Sequence, residues 1–185
     1  AAPIRITTTT VLRALATAPG ALPSNVATQT YLFPAAVRTQ TGTGFPTTWS
    51  GGSGTVAADY EVDPTVVNNS TYSAAFTSDL LAIPSMSIVM NQADMFGPSG
   101  LYTNSQQSGA AWERPCSIEM FYPDGRDGFQ QDCGLRIQGG FGRSPTVKKH
   151  SFRPLFKGDY GAAKLNFPLF PGSPVEEFDT IVLRA

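Results

Sequence analysis

Apolar residues recur along this chain at two spacings, and each spacing marks a different kind of element. Near the start, Ile4-Arg5-Ile6, Val11 to Ala16 and Val26 to Phe33 are strand-like pieces. The turn cluster Ala18-Pro19-Gly20-Ala21-Leu22-Pro23-Ser24 divides the last two, which predicts a β-rich element. Such strands are too few to bury a core alone, so they are expected to be the tail of a β-sandwich whose other strands come earlier. Between 64 and 83 the spacing becomes i, i+4. Tyr72, Phe76 and Leu80 share a face, Asp63 or Ser70 is placed to cap, and Pro84 stops the run, so a helix is predicted. Met86 to Met90 reads as a buried strand and 91 to 103 as a loop with a short turn. Pro115 to Tyr122 and Phe129 to Gln138 form a hairpin around Pro123-Asp124-Gly125-Arg126-Asp127-Gly128. Further strands are predicted at 149 to 156 and 179 to 184.

Between 39 and 54 every residue except Gln40, Phe45 and Trp49 is Gly, Ser, Thr or Pro. Such a stretch buries too little apolar area to offset the entropy of ordering it. It reads as a linker that Phe45, Pro46 and Trp49 can pin to a neighbouring surface. The resulting division is a sandwich remnant at 1–36, a linker at 37–58 and a separate domain at 59–185, in an α+β chain dominated by antiparallel sheet.

Composition narrows the function classes. With 41% hydrophobic and 15% charged residues the chain can form a packed core, and a net charge of -1 gives no global pull toward nucleic acid or anionic membrane. The longest apolar runs, such as Leu80 to Ile83, are too short to cross a bilayer. The opening Ala1-Ala2-Pro3-Ile4-Arg5 has neither a basic nor an apolar signal region, so an export signal would have to lie upstream. Charge is unevenly placed. From 39 to 132 every charged residue is acidic except Arg114 and Arg126, whereas from 136 to 164 every one is basic except Asp159. A basic strip points to an anionic partner, against the plainer reading of a solvated face.

Cys116 and Cys133 are the only cysteines and His150 the only histidine, too few soft ligands for a structural zinc site. Folding about the 123–128 turn brings 116 opposite 133, so the pair is either a cross-strand disulfide, which implies an oxidising compartment, or two buried thiols packed as small hydrophobes. His150 lacks a nucleophile elbow, since Gly97-Pro98-Ser99-Gly100 has the wrong spacing, and reads as structural. Asp124, Asp127 and Asp132 surround a turn where Asp-Gly pairs are ordinary turn chemistry before they are a calcium site. Trp112, Phe121 and Phe141 are more commonly packing residues than a sugar-stacking platform.

The most informative block runs from Gly134 to Lys157. Leu135 and Ile137 alternate with Arg136 and Gln138, giving one apolar strand face and one carrying a guanidinium and an amide. Gly139-Gly140-Phe141-Gly142 allows backbone N–H groups to approach a phosphate closely. Lys149, Ser151 and Arg153 share the face of the next strand, so Lys149 and Arg153 can reach one polyanion together. Arg136, Gly139, Gly140, Lys149 and Arg153 are therefore the candidate phosphate-binding residues.

Gly134-Leu135-Arg136-Ile137-Gln138-Gly139, followed by Lys148-Lys149-His150-Ser151-Phe152-Arg153 and Phe156-Lys157-Gly158-Asp159-Tyr160-Gly161, resembles the N-terminal signature of the spore-coat protein H (CotH) kinase family. The segments 84–90, 112–119, 160–170 and 178–184 add to the likeness, which covers about residues 56 to 185. Thr9 to Ala16 with Gly20 to Phe33 resembles the end of a chitobiase/hexosaminidase C-terminal-type sandwich module. The CotH resemblance implies part of an atypical protein-kinase-like lobe that uses ATP and a divalent metal, magnesium, to phosphorylate serine or threonine of surface or coat proteins. It also implies an extracellular or cell-surface multidomain bacterial protein, with the catalytic and metal-binding aspartates expected beyond Ala185. No acid of this chain is nominated for those roles, and the fragment alone is expected to be inactive. The alternative is a non-catalytic surface module that keeps the scaffold for protein or glycan contacts.

Overall fold

The computed structural model describes residues 2–51 and 54–185. Ala1, in the expected sandwich remnant, and Gly52 and Ser53, in the expected linker, lie outside them. The fold mixes short helices with antiparallel sheet. β1 (Thr10–Ala14) and β2 (Ala27–Tyr31) pair antiparallel, with Thr10 opposite Tyr31 and Ala14 opposite Ala27. Ile4 to Ile6 joins no strand. A short helix, α1 (Pro34–Val37), follows with proline in its first turn, where a missing N–H costs nothing.

Within the glycine- and threonine-rich segment, β3 (Thr48–Gly51) pairs antiparallel with β4 (Gly54–Ala57), placing Trp49 opposite Val56. Its composition gives no sign of this. Trp49 supplies the missing apolar area: it is 5% exposed and stacks on Phe96, with centroids 6.4 Å apart and planes at 4°.

The helix expected over 64–83 is two short helices, α2 (Pro64–Val67) and α3 (Phe76–Leu80). Asp63 caps the first by accepting from Thr65 N and Thr65 Oγ1, both at 2.8 Å. The interruption has a local cause. Asn69 Oδ1 accepts from Thr71 N at 2.8 Å, so a side chain takes over backbone bonding that a continuous helix needs. β5 (Ser85–Val89) comes next, then α4 (Gln92–Phe96), capped by Asn91 Oδ1 accepting from Ala93 N at 3.0 Å.

β6 (Arg114–Phe121) and β7 (Phe129–Gln138) appear where the hairpin was predicted. Gly125 N donates to Tyr122 O at 3.1 Å, and Gly125 has φ +74°, a conformation that needs glycine. With β8 (Ser151–Leu155) these strands form a four-stranded sheet in the order β5-β6-β7-β8. β9 (Leu165–Asn166) pairs with β10 (Glu177–Phe178). The expected strand at 179–184 is a segment bridging to β8, with Phe152 N donating to Leu183 O and Leu183 N to Phe152 O, each at 2.9 Å.

The chain divides into two compact units. Residues 1–41, 60–89 and 119–130 make the first; 42–59, 90–118 and 131–185 make the second. In the first, Thr30 of β2 donates through its N–H to Glu119 Oε1 at 3.1 Å and through its hydroxyl to Glu119 Oε2, while sharing a 2.9 Å hydrogen bond with Ser87. Arg38 binds Ser73 O, Ser73 Oγ and Val67 O at 2.6, 2.7 and 2.9 Å. The second unit holds most of the apolar core, built on Leu101, Ile118, Leu135, Ile137, Phe156 and Leu165. Leu135 and Ile137 are buried while Arg136 and Gln138 are only partly so, as the alternation on β7 predicts. No helix among the described residues is long and apolar enough to cross a membrane.

Candidate anion-binding site

Register on the β7–β8 pair sets the site. Arg136 lies opposite Arg153, Gln138 opposite Ser151 and Gly134 opposite Leu155. Directly opposed residues share a sheet face, and like charges so placed repel. One carboxylate relieves part of that repulsion. Glu113, whose side chain is 5% exposed, accepts from Arg136 Nε at 2.7 Å and pairs with Arg136 Nη2 at 2.6 Å. Lys157 Nζ donates to its two oxygens at 2.8 and 2.9 Å, and the Tyr160 hydroxyl donates to Oε1 at 2.9 Å. Burial pushes the Glu113 carboxyl up, but the bonds from Lys157, Tyr160 and Arg136 outweigh it, so its pKa lies below the ordinary glutamate value. Burial, then the bond to Glu113, pushes the Tyr160 phenol up to about 12.

Glycine at 134 makes room for this cluster. A Cβ there would sit 2.6 Å from Glu113 Oε1 and 2.7 Å from its Cδ and Cγ, and three donors hold the carboxylate where it is. Gly134→Ala is expected to cost about 2 kcal/mol, read as a lower urea midpoint with an unchanged m-value.

Arg153 is placed differently from Arg136. Its Nε donates to Thr180 Oγ1 at 3.1 Å, and Thr180 in turn donates to Pro154 O at 2.6 Å. Among the described residues Arg153 forms no ion pair. Two cations, Arg136 and Lys157, thus share one buried carboxylate, Arg153 lies across from Arg136 on β8, and Asp132 is farther along β7 beside Gly161.

The loop that joins β7 to β8 is fixed from inside by its carbonyls. Arg143 Nε donates to Gly139 O and Arg143 Nη1 to Gln107 O, both at 2.5 Å, and Nη2 donates to Ile137 O. Gly140 O and Phe141 O accept from the backbone N–H groups of Arg143 and Ser144 at 3.0 and 2.9 Å. His150 Nδ1–H donates to Gly142 O at 2.7 Å. The N–H groups of Gly139, Gly140, Phe141 and Gly142 donate to no atom among the described residues. Phe141, at the tip, is 88% exposed. Lys149 is exposed and unpaired among the described residues, whereas its neighbour Lys148 pairs with Asp59 at 3.1 Å.

Of the residues nominated from sequence, Arg136 and Arg153 are brought side by side, and Gly139, Gly140 and Lys149 sit in the loop of the same hairpin. Glu113, Lys157, Tyr160 and Arg143 were missed. Lys157 had a signal, because it continues the 151, 153, 155 parity of β8. His150 is a packed residue: its ring lies 4.8 Å from Tyr102 and burial lowers its pKa. Asp124 Oδ1 accepts from Arg126 N at 3.2 Å, the turn chemistry expected, and the described residues contain no group of three His, Cys, Asp or Glu able to hold a metal ion. Cys116 and Cys133 are both buried free thiols with their sulfurs 3.4 Å apart.

The first unit carries a separate cleft of about 300 Å³ lined by Tyr31, Leu32, Leu81, Ile83, Phe121 and Tyr122, among others. Fold and site together define an α+β chain of short helices and antiparallel sheet with a cationic sheet face. No protein-family model matches the chain, no curated protein matches its sequence and no solved structure matches its fold.

Proposed function

We propose that the chain is the nucleotide-facing part of a CotH-like protein kinase domain, with β7, β8 and their loop binding the polyphosphate of ATP. The observation that carries this reading is the register of Arg136 against Arg153. Two guanidinium groups on adjacent strands repel, and a bound phosphate turns that repulsion into two charge-assisted contacts. Glu113 orients Arg136 and Lys157, and the inward-turned carbonyls of the Gly139–Gly142 loop leave its N–H groups for phosphate oxygens.

The residues in hand do not fit a magnesium ion, since no cluster of metal-ligating side chains occurs among those described. In this reading the metal carboxylates and the base that orients the acceptor serine or threonine of a surface or coat protein belong to sequence beyond Ala185. The 185 residues bind phosphate and do not transfer it. β1 and β2 are assigned to the end of a preceding sandwich module, and the parent to the extracellular surface. The apolar cleft of the first unit favours a second reading, a non-catalytic surface module that grips a protein or glycan.

Calorimetric titration of the chain with ATP and with tripolyphosphate at low salt tests the phosphate reading. Binding is expected to weaken as salt rises, and Arg153→Ala to weaken it about tenfold, roughly 1.4 kcal/mol. Unchanged affinity in Arg153→Ala would remove the β7–β8 face from the site.

A further inference from the structure

The Cys116 and Cys133 pair is not used by the phosphate reading, and its geometry supports a modification site. The sulfurs are 3.4 Å apart on neighbouring strands β6 and β7, within about 1.4 Å of a disulfide bond length of about 2.05 Å. Closing the bond therefore asks the two sulfurs to approach by about that distance. The residues are 7% and 0% exposed, among the buried Ser117, Ile118 and Leu135. Such burial limits the access of an oxidant the size of a tripeptide disulfide to either sulfur in the folded chain.

We propose that Cys116 and Cys133 are joined by a disulfide while the β6–β7 hairpin closes, and that the folded second unit then seals whichever redox state it folded with. The nearby Asp-Gly turn lies midway between the two cysteines, so closing the hairpin brings the thiols together before the flanking core covers them. With a glutathione disulfide as oxidant, one cysteine thiolate attacks a glutathione sulfur and releases one glutathione as thiol. The second cysteine attacks the resulting mixed disulfide at the protein sulfur and releases the other glutathione. Two protein thiols are oxidised, one glutathione disulfide is reduced, and the two protons leave with the two glutathione thiols. The same exchange in the folded chain requires a thiolate, and contact with Cys133 together with burial pushes the Cys116 thiol well above its ordinary pKa.

Two samples of the full chain decide the matter. One is refolded from denaturant in a glutathione redox buffer. The other is folded under reducing conditions, freed of reductant and then held with glutathione disulfide. Each is denatured, alkylated with a maleimide and weighed by mass spectrometry. The refolded sample is expected to take up no label and to carry the intramolecular bond, and the pre-folded sample to take up two labels. The oxidised form is expected to melt about 6–12 °C higher than the reduced form. The double variant Cys116→Ala/Cys133→Ala, refolded alongside, is expected to melt at one temperature in both buffers. Two labels after oxidative refolding, or bonds between chains, would overturn the disulfide. A bond formed readily in the pre-folded sample would overturn the sealing.

Discussion

Truncating Trp49 to alanine is expected to remove about 4 kcal/mol of stability, the scale of a lost buried aromatic side chain. The indole sits inside a ring cluster. It stacks on Phe96, tilts against Tyr102 at 4.8 Å, and Tyr102 continues to His150 at 4.8 Å and Phe152 at 6.2 Å. Phe45 closes on Phe96 edge-on at 5.8 Å. Losing the indole leaves a cavity among rings that cannot all shift to fill it, and it removes the main apolar anchor of the β3–β4 hairpin. Urea denaturation of Trp49→Ala and Trp49→Phe tests this, with the phenylalanine variant expected to recover about half of the loss. A change below about 1 kcal/mol in Trp49→Ala would mean that the β3–β4 hairpin adds little to the stability of the second unit.

Replacing Glu113 with glutamine is expected to cost about 3 kcal/mol. The amide keeps the shape but removes the charge that Arg136 and Lys157 share, and it turns a donor toward groups that are already donors. Breaking a buried ion pair from one side costs about 3–5 kcal/mol. The lower end applies because Arg136 and Lys157 are 22% and 36% exposed and regain some hydration. The variant also has a signature in pH. The folded-state pKa of Glu113 is depressed, so in acid the unfolded chain takes up a proton before the folded chain does. Its contribution is complete above the unfolded value of about 4.3 and is lost as pH falls from there through the folded value. The wild-type chain should therefore lose stability more steeply over that acidic window than Glu113→Gln. Parallel acid profiles for the two chains would show that the carboxylate is not ionised in the cluster.

Local chemistry was legible where one segment contains its own cause. The β6–β7 hairpin follows from its Asp-Gly turn, and the α2 cap from Asp63, one of the two capping residues expected. The buried Leu135 and Ile137 follow from simple alternation. The continuous helix over 64–83 failed because i, i+4 spacing does not reveal that Asn69 will satisfy a backbone N–H with its own side chain. The β3–β4 hairpin was hidden because its composition is that of a linker and its cause is a partner, Phe96, many residues away. The site divides the same way. Arg136 and Arg153 lie opposite each other on one hairpin, as alternation allows, whereas Lys149, expected on the same strand face as Arg153, lies in the loop before β8 begins at Ser151. Glu113, which organises that face, sits 23 residues before Arg136 and 44 before Lys157, and no spacing rule links them.

The bonds that Arg143 makes with its guanidinium all end on main-chain oxygens, those of Ile137, Gly139, Gln107 and, at 3.5 Å, Ser105. A main-chain oxygen is the same atom whatever side chain its residue bears. The conformation of the connection therefore depends on the identity of position 143 and hardly on what occupies 107, whereas at 105 the buried serine hydroxyl returns a bond to Arg143 O at 2.8 Å. Lysine is no substitute at 143, because one ammonium cannot span acceptors that a planar fork reaches from three nitrogens. Laboratory diversification of this hairpin has a natural division: 143 is the position to hold, and Phe141, at the exposed tip, is the position to vary.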